Sequence, residues 1–319
     1  MKISVVTPVY NAEPFIRKAV ESAIQQPEVG EVLLIEDGSA DNSLQICTDL
    51  EKEYPIVKLL RFPDGKNHGA GAARNVGIKN SKFKYIAFLD ADDYYLPGRF
   101  RASKRIFENN LNVDGVYEAV GVHFYIEEAK KRWLSRGHGK LTTLSENINS
   151  EELFNGLVRL GKGSLHLDGL VVKKSLIVKC GYFNEKLKLH QDSTLIIQMS
   201  ECGTLVAGRL DSPVATRGIH QSNRILSKVD LIETKCLARQ NLFYWGYHKK
   251  LRNEKLIALF YNYLMYLILS IKNKKGIKFF DLNKLNVLLI ELIKHPFLCF
   301  GILFEHFSRK KIQIKKPSV

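Results

Sequence analysis

Short apolar runs alternate with helix-patterned segments through about the first 100 residues, and no other feature restricts the fold as tightly. Lys2–Thr7, Val32–Ile35, Val57–Leu60 and Tyr85–Leu89 have the length and β-branched content of buried strands. Between them, Phe15, Ile16, Ala19, Val20, Ala23 and Ile24 recur at helical spacing, and Leu44, Ile46, Cys47 and Leu50 mark one side of a second helix. Ala70–Asn80 suits a third, whose small residues would let it pack close to a sheet. Asn11 is placed to cap the first helix, with Pro14 in its first turn. This alternation predicts a parallel, three-layer α/β sheet with right-handed crossovers.

The rhythm changes after residue 110. Val113–Ile126 reads as β-like, Glu127–Asn149 as a polar, basic, flexible loop, and Glu151–Leu160 as a short helix. Gly169–Val172 has strand character, Ser193–Cys202 is an amphipathic helix, and Leu205–Thr216 is again extended. From Lys228 onward the pattern is helical, with Pro296 as a break. The expected organisation is a domain over 1–227, with halves at about 1–110 and 111–227, and a helical region over 228–319.

Charge follows the same division. Residues 1–227 hold 30 Lys/Arg against 27 Asp/Glu, whereas 228–319 hold 18 against 6, so most of the net charge of +15 sits in the last quarter. That asymmetry points to an anionic partner or surface at that end. The basic region is rich in apolar runs, unlike the polar, aromatic-interleaved stretches of nucleic-acid binders, so no nucleic acid is expected. Five scattered cysteines suggest neither a zinc site nor disulfides, which fits a reducing, cytoplasmic compartment. The N-terminus is too short and too β-like for a signal peptide. The longest uncharged run, Leu256–Ile271, is shorter than the roughly 20 residues a membrane span needs. Apolar helices flanked by lysines suit either peripheral contact with an anionic membrane, at the inner face of the cytoplasmic membrane, or packing against the first domain or a second copy.

Three strand ends carry the chemistry. Pro8-Val-Tyr10-Asn11 ends the first strand, Asp37-Gly-Ser the second and Asp90-Ala-Asp92 the fourth. In a parallel sheet such ends converge on one edge, where ligands bind. Two carboxylates one residue apart suit a hard divalent cation. Asp37 can accept from a base N–H or ribose hydroxyl, or can simply open a turn before Gly38. In Gly69-Ala-Gly-Ala-Ala-Arg74, Arg74 stands where a dinucleotide fingerprint needs glycine, and the segment follows a loop, so that fingerprint fails. Arg74 could reach a phosphate or be a surface arginine on a close-packed helix.

Taken together, Val-Val-Thr-Pro-Val-Tyr-Asn at 5–11, Glu-Asp-Gly-Ser-Ala-Asp-Asn-Ser at 36–43, Ala-Ala-Arg-Asn-Val-Gly at 72–77 and Phe-Leu-Asp-Ala-Asp-Asp at 88–93 resemble the family 2 inverting glycosyltransferases of bacterial cell-surface polysaccharide synthesis. The resemblance covers roughly residues 1–225. It implies the GT-A fold, a Rossmann-like three-layer sandwich of nucleotide-diphospho-sugar transferases, here with a mostly helical C-terminal extension. It also implies a divalent metal, Mn or Mg, and a nucleotide-sugar donor, most commonly UDP-linked. Hexosyl or hexosaminyl transfer to a glycan or lipid-linked acceptor would follow. By position Asp37 resembles the base-reading residue, Asp90 the ribose-side acid and Asp92 the metal ligand, while Pro8 and Tyr10 would line the nucleoside pocket.

The resemblance continues through Asp168-Gly-Leu-Val-Val-Lys-Lys and Gly181-Tyr-Phe-Asn-Glu185. At Leu189-His-Gln-Asp192, Asp192 matches the general base, and Gln191 departs from the family's usual Glu. His220-Gln-Ser-Asn-Arg224 resembles a late motif in which the histidine completes the metal–diphosphate site and Arg224 closes over the pyrophosphate. Ile225 replaces the Trp of processive synthases, which favours single additions. Two other readings stand beside this one: a non-catalytic sugar-nucleotide-binding protein and a sugar-1-phosphate nucleotidyltransferase, although the Gly-rich basic loop of the latter is absent after the first strand.

Overall fold

The computed structural model describes residues 1–135, 139–144, 146–159, 163–220, 231–272 and 290–299. The chain divides into two compact units, Met1–Val229 and Asp230–Val319.

The first unit opens with β1 (Ile3–Val9), α1 (Ile16–Ile24), β2 (Val29–Glu36), α2 (Ser43–Glu53), β3 (Val57–Arg61), α3 (Ala70–Asn80) and β4 (Tyr85–Phe88). It continues with β5 (Tyr94–Tyr95), α4 (Arg101–Asn109), β6 (Gly115–Tyr117), β7 (Val120–Phe124), α5 (Glu127–Ser135), β8 (Leu141–Thr142) and α6 (Ser150–Val158). After a 3₁₀ turn at Leu167–Gly169 come β9 (Leu170–Lys173), α7 (Lys174–Cys180), α8 (Gln191–Cys202), β10 (Leu205–Ala207) and β11 (Ala215–Ile219). The main sheet has the order β10-β6-β9-β4-β1-β2-β3, and a smaller sheet has the order β5-β11-β7-β8.

β1 to β4 are parallel, as the alternation requires; the apolar residues of β1, β2 and β4 are almost all buried, whereas Leu59 and Leu60 of the edge strand β3 are half-buried. α3 lies unusually close to the sheet. A Cβ on Gly77 would sit 2.5 Å from a Val6 methyl, so glycine sets the helix–sheet distance there. This is the GT-A arrangement, with the helical region at its C-terminal end.

Three local expectations fail for identifiable reasons. First, the sheet is mixed: β9 runs antiparallel to both β4 and β6. It enters from the 167–169 turn at the edge where β4 ends and so runs back against β4. Second, Glu127–Asn149 is not simply a loop. Ala129 and Trp133, four residues apart, are buried with Ile219 and packed by Val122, Phe124 and Ile126, enough to fix α5 despite its polar average. Third, Asn11 does not cap α1, whose N-cap is Phe15 without a side-chain bond. Asn11 adopts φ +50° and turns toward the neighbouring loop, its Oδ1 accepting from the Ala40 N–H at 2.8 Å.

The second unit contains α9 (Leu231–His248) and α10 (Asn253–Lys272), which pack through Phe243 against Phe260 and Tyr263. Residues 290–294 and 296–299 are helical, interrupted just before Pro296. No helix among the described residues is long and apolar enough to cross a membrane.

Candidate active site

The register of the parallel strands brings the polar strand ends to one edge. Val9 lies opposite Glu36 and Val6 opposite Phe88, so Tyr10, Asp37 and Asp90 leave the sheet as neighbours. Two backbone bonds extend this alignment past the strands: Asp37 N–H to the Val9 carbonyl at 2.8 Å and Leu89 N–H to the Val6 carbonyl at 3.2 Å. The edge opens into a cleft of about 420 Å³, lined among others by Pro8, Tyr10, Asp37, Arg74, Asp90, Asp92, Asp192 and His220. Six widely separated segments of sequence therefore meet in one space.

Asp37 is almost wholly buried, and its carboxylate is held by the chain. Oδ1 accepts from His68 N–H at 2.7 Å; Oδ2 accepts from Gly69 N–H at 2.8 Å and from Asn67 Nδ2 at 3.0 Å. Burial raises its pKa, and these N–H groups only partly offset that. Arg74 is buried on α3 with its guanidinium on Asp90, while its Nε makes no hydrogen bond. Burial works against the ionised form of Asp90, but Arg74 and then His166 outweigh it, so its pKa is held below the ordinary value.

Asp92 Oδ2 lies 3.1 Å from His220 Nε2. Two features of β11 create that approach. The Gly218 N–H donates to Asp93 Oδ1 at 2.8 Å, and a Cβ on Gly218 would stand 2.3 Å from the Asp92 carbonyl oxygen. Only glycine lets the acidic turn lie against the strand that carries His220. The His220 ring is also stacked on Phe15, centroids 4.5 Å apart.

One carboxylate and one imidazole at 3.1 Å match two neighbouring ligands of a single octahedral ion with bonds of about 2.1 Å, so this pair fits a divalent metal. A second group, Asp90, Asp93 and His166, has ligand atoms within 4.8 Å of one another. There Asp90 is already bound to a guanidinium, and His166 is not among the residues lining the cleft. The Asp92–His220 pair is the better donor set.

Asp192 sits in the first turn of α8, where the helix dipole favours a carboxylate, and lines the same cleft. Its Oδ1 accepts from the Ser193 N–H at 2.7 Å. His190, at φ +62°, turns the chain into the helix, and Gln191 beside Asp192 is buried. Arg224 lies outside the described residues.

Several groups in or beneath the cleft escape sequence reasoning. Asp93 and Asp168 are both buried, and each acts on the other's charge state. Burial first, then Asp168's charge, pushes Asp93 well up; burial pushes Asp168 to about 7. Asp168 Oδ1 also accepts from the Asp90 N–H at 3.2 Å, and its carbonyl accepts from Arg99 Nε at 2.9 Å. Arg99 is in turn bound to the buried Glu118 at 2.8 Å. This network lies beneath the acidic turn and fixes its backbone. Arg217 and Lys188 also line the cleft. The acid following Asp92 was the visible signal for Asp93, and Asp168 opens a quoted motif without being given a role there; Arg217 carried no signal.

Residues 4–157 match the family described as Glycosyl transferase family 2. Among curated relatives, the uncharacterized glycosyltransferase EpsJ of Bacillus subtilis is 33% identical over 132 residues, covering 41% of this chain and 36% of EpsJ. The minor teichoic acid biosynthesis protein GgaA of the same organism is 26% identical over 203 residues, covering 61% of this chain and 42% of GgaA. The chain spans well under half the length of these relatives. Among solved structures, S. aureus TarS 1–349 superposes with TM-score 0.63 at 19% identity, covering 92% of this chain and 80% of TarS 1–349. The same protein has been crystallised with UDP and with UDP-GlcNAc, and these structures match with TM-scores of 0.61 and 0.57.

Proposed function

We propose that this chain of GT-A fold, whose residues 4–157 match Glycosyl transferase family 2, moves one hexosyl or hexosaminyl unit, with inversion, from a nucleotide-diphosphate donor to a hydroxyl of a glycan or lipid-linked acceptor. UDP-sugars are the favoured donors, because the TarS structures that share this fold hold UDP and UDP-GlcNAc. Cell-surface polysaccharide synthesis is the setting that the relation to GgaA supports. The observation that carries the reading is the meeting of Asp37, Asp90, Asp92, Asp192 and His220 in one cleft.

In this reading Pro8, Tyr10 and Asp37 hold the nucleoside. Asp37 is fixed in direction by Asn67, His68 and Gly69, so it presents a preset acceptor rather than a mobile side chain. Arg74 holds Asp90 toward the ribose. Asp92 and His220 would hold a Mn or Mg ion, which supplies positive charge to the diphosphate. Asp192 takes the proton from the acceptor hydroxyl as that oxygen bonds the anomeric carbon and the bond to the diphosphate oxygen breaks. The nucleoside diphosphate leaves with the bonding pair, and the carbon inverts. Thermal shift with UDP-, GDP- and dTDP-sugars in Mn tests donor binding, since a ligand of the native state raises Tm. UDP-sugars should raise it; no shift with any of them contradicts the reading.

We also propose that the basic helical region rests on an anionic membrane at the cytoplasmic face. On α10, Tyr261, Met265 and Leu269 recur every fourth residue and are each 40–46% exposed, an apolar stripe in a region with threefold more cations than anions. Flotation with anionic liposomes at low salt, lost at high salt, is expected. Failure to float together with a concentration-dependent dimer would assign the stripe to a second copy.

A further inference from the structure

One loop supplies every donor that the Asp37 carboxylate receives from the described residues. Asn67 Nδ2 and the Gly69 N–H reach Oδ2 at 3.0 and 2.8 Å, and the His68 N–H reaches Oδ1 at 2.7 Å. Asn67 Nδ2 also donates to the Asp37 backbone carbonyl at 3.0 Å, so both hydrogens of its amide are committed to Asp37. The loop is held in place from two sides. A Cβ on Gly38 would stand 2.8 Å from the Gly65 carbonyl oxygen and 2.9 Å from the Asn67 nitrogen, so glycine at φ +72° lets the two backbones touch. Within the loop, the His68 ring stacks on Phe62, centroids 4.1 Å apart, and its Nε2 lies 2.9 Å from Asp64 Oδ1. Asp64 in turn accepts from the Lys66 N–H at 3.2 Å, and the Gly65 N–H donates to the Phe62 carbonyl at 3.1 Å.

An ionised carboxylate offers about four acceptor positions, two on each oxygen. The chain fills both positions of Oδ2 and one of Oδ1, which leaves about one, on Oδ1. Bases differ in what they can give such an acceptor. Uracil shows a single N–H between two carbonyls. Guanine shows two adjacent donors, its ring N–H and its 2-amino group, and pairs with a carboxylate through both oxygens. Hypoxanthine is the guanine ring without the 2-amino group and again shows one N–H. Resting on the transferase reading above, in which Asp37 meets the base, we propose that Asn67 determines which base the cleft accepts. By filling the last position on Oδ2 it restricts Asp37 to bases with a single N–H and excludes guanine. A guanine in the cleft would bury its amino group without an acceptor, and a buried donor left unpaired costs more than a hydrogen bond gains. Asn67 is not among the residues lining the cleft, so it acts through Asp37.

The test is calorimetric titration of the full chain in Mn with UDP, GDP and IDP, the last of which carries hypoxanthine. IDP and GDP match in ring size and differ only by the amino group. The unaltered chain should bind UDP, and should bind IDP about tenfold tighter than GDP. Asn67→Ala opens a position on Oδ2 and should bring IDP and GDP to within about twofold of each other, with UDP weakened by no more than about threefold. Asn67→Ser, which keeps a shorter donor, should fall between. In an Asp37→Ala background the IDP-to-GDP ratio should be the same with and without Asn67→Ala, because the discrimination passes through Asp37. General loss of structure would weaken all three nucleotides together and leave the ratio where it was. Equal binding of IDP and GDP by the unaltered chain, or an unchanged ratio in Asn67→Ala, would overturn the proposal. Exclusion of both purines from the unaltered chain and from Asn67→Ala alike would assign base selection to ring size and overturn it as well. Absence of UDP binding in the unaltered chain would instead overturn the transferase reading itself.

Discussion

Arg74 and Arg217 line the same cleft in opposite circumstances. Arg74 is buried and bound to Asp90, while Arg217 is half-buried, lies over the Trp133 ring and makes no ion pair among the described residues. The carboxylates of the cleft differ in the same way. The Asp37 carboxylate accepts three donors, and Asp90 is tied to Arg74 and to Asp168. Asp192, the proposed base, accepts one N–H from its own turn. A polar group whose partners lie within the chain holds a shape for the ligand; one whose partners are missing is left to act on the ligand.

The contrast can be broken by substitution. Arg74→Leu leaves Asp90 as an uncompensated charge and should cost about 3–5 kcal/mol in urea unfolding. Arg217→Leu should cost under about 1 kcal/mol, since it loses only a cation–π contact. Comparable losses would mean that both arginines serve the fold. A smaller effect should follow from Asp92→Ala: UDP affinity in Mn falls about tenfold, while affinity in EDTA is unchanged. Equal affinities with and without Mn in the unaltered chain would remove the metal from the donor side.

The smallest effect is in pH. Asp168 has a folded pKa of about 7, above that of a carboxyl in the unfolded chain. Between about pH 4 and pH 7 the native state then holds a proton that the unfolded state has released, so this group's contribution to stability falls as pH rises through that window. Asp168→Asn keeps an oxygen to accept from the Asp90 N–H and removes the titration. The Tm of the unaltered chain should therefore drop by a few degrees relative to Asp168→Asn from pH 4 to pH 7. A constant difference would contradict a raised pKa at Asp168.

The same contrast explains what could be read from the sequence. β1 to β4 and the helices between them were legible because a parallel sheet demands apolar runs and places their polar ends together; Asp37, Asp90 and Asp92 followed from that rule alone. Asp192 and His220 have no local pattern that marks them. They were identified through their resemblance to a known motif, and the structure brings them to the same cleft. α5 was missed because two apolar residues, Ala129 and Trp133, anchor it through contacts with a strand some 90 positions later. β9 was read as a strand, but its antiparallel direction depends on where the chain enters the sheet. Arg217 was not singled out because its contact with the Trp133 ring arises only in three dimensions.

The central claim is that donor binding and proton removal are separable tasks of different residues in the cleft. Asp192→Asn tests it most directly, with UDP-sugar affinity and turnover measured on the same preparation. The account predicts turnover lower by about 10² to 10⁴ with affinity within about twofold of the unaltered chain. Turnover near the unaltered value, or a loss of donor affinity as large as the loss of turnover, would contradict it.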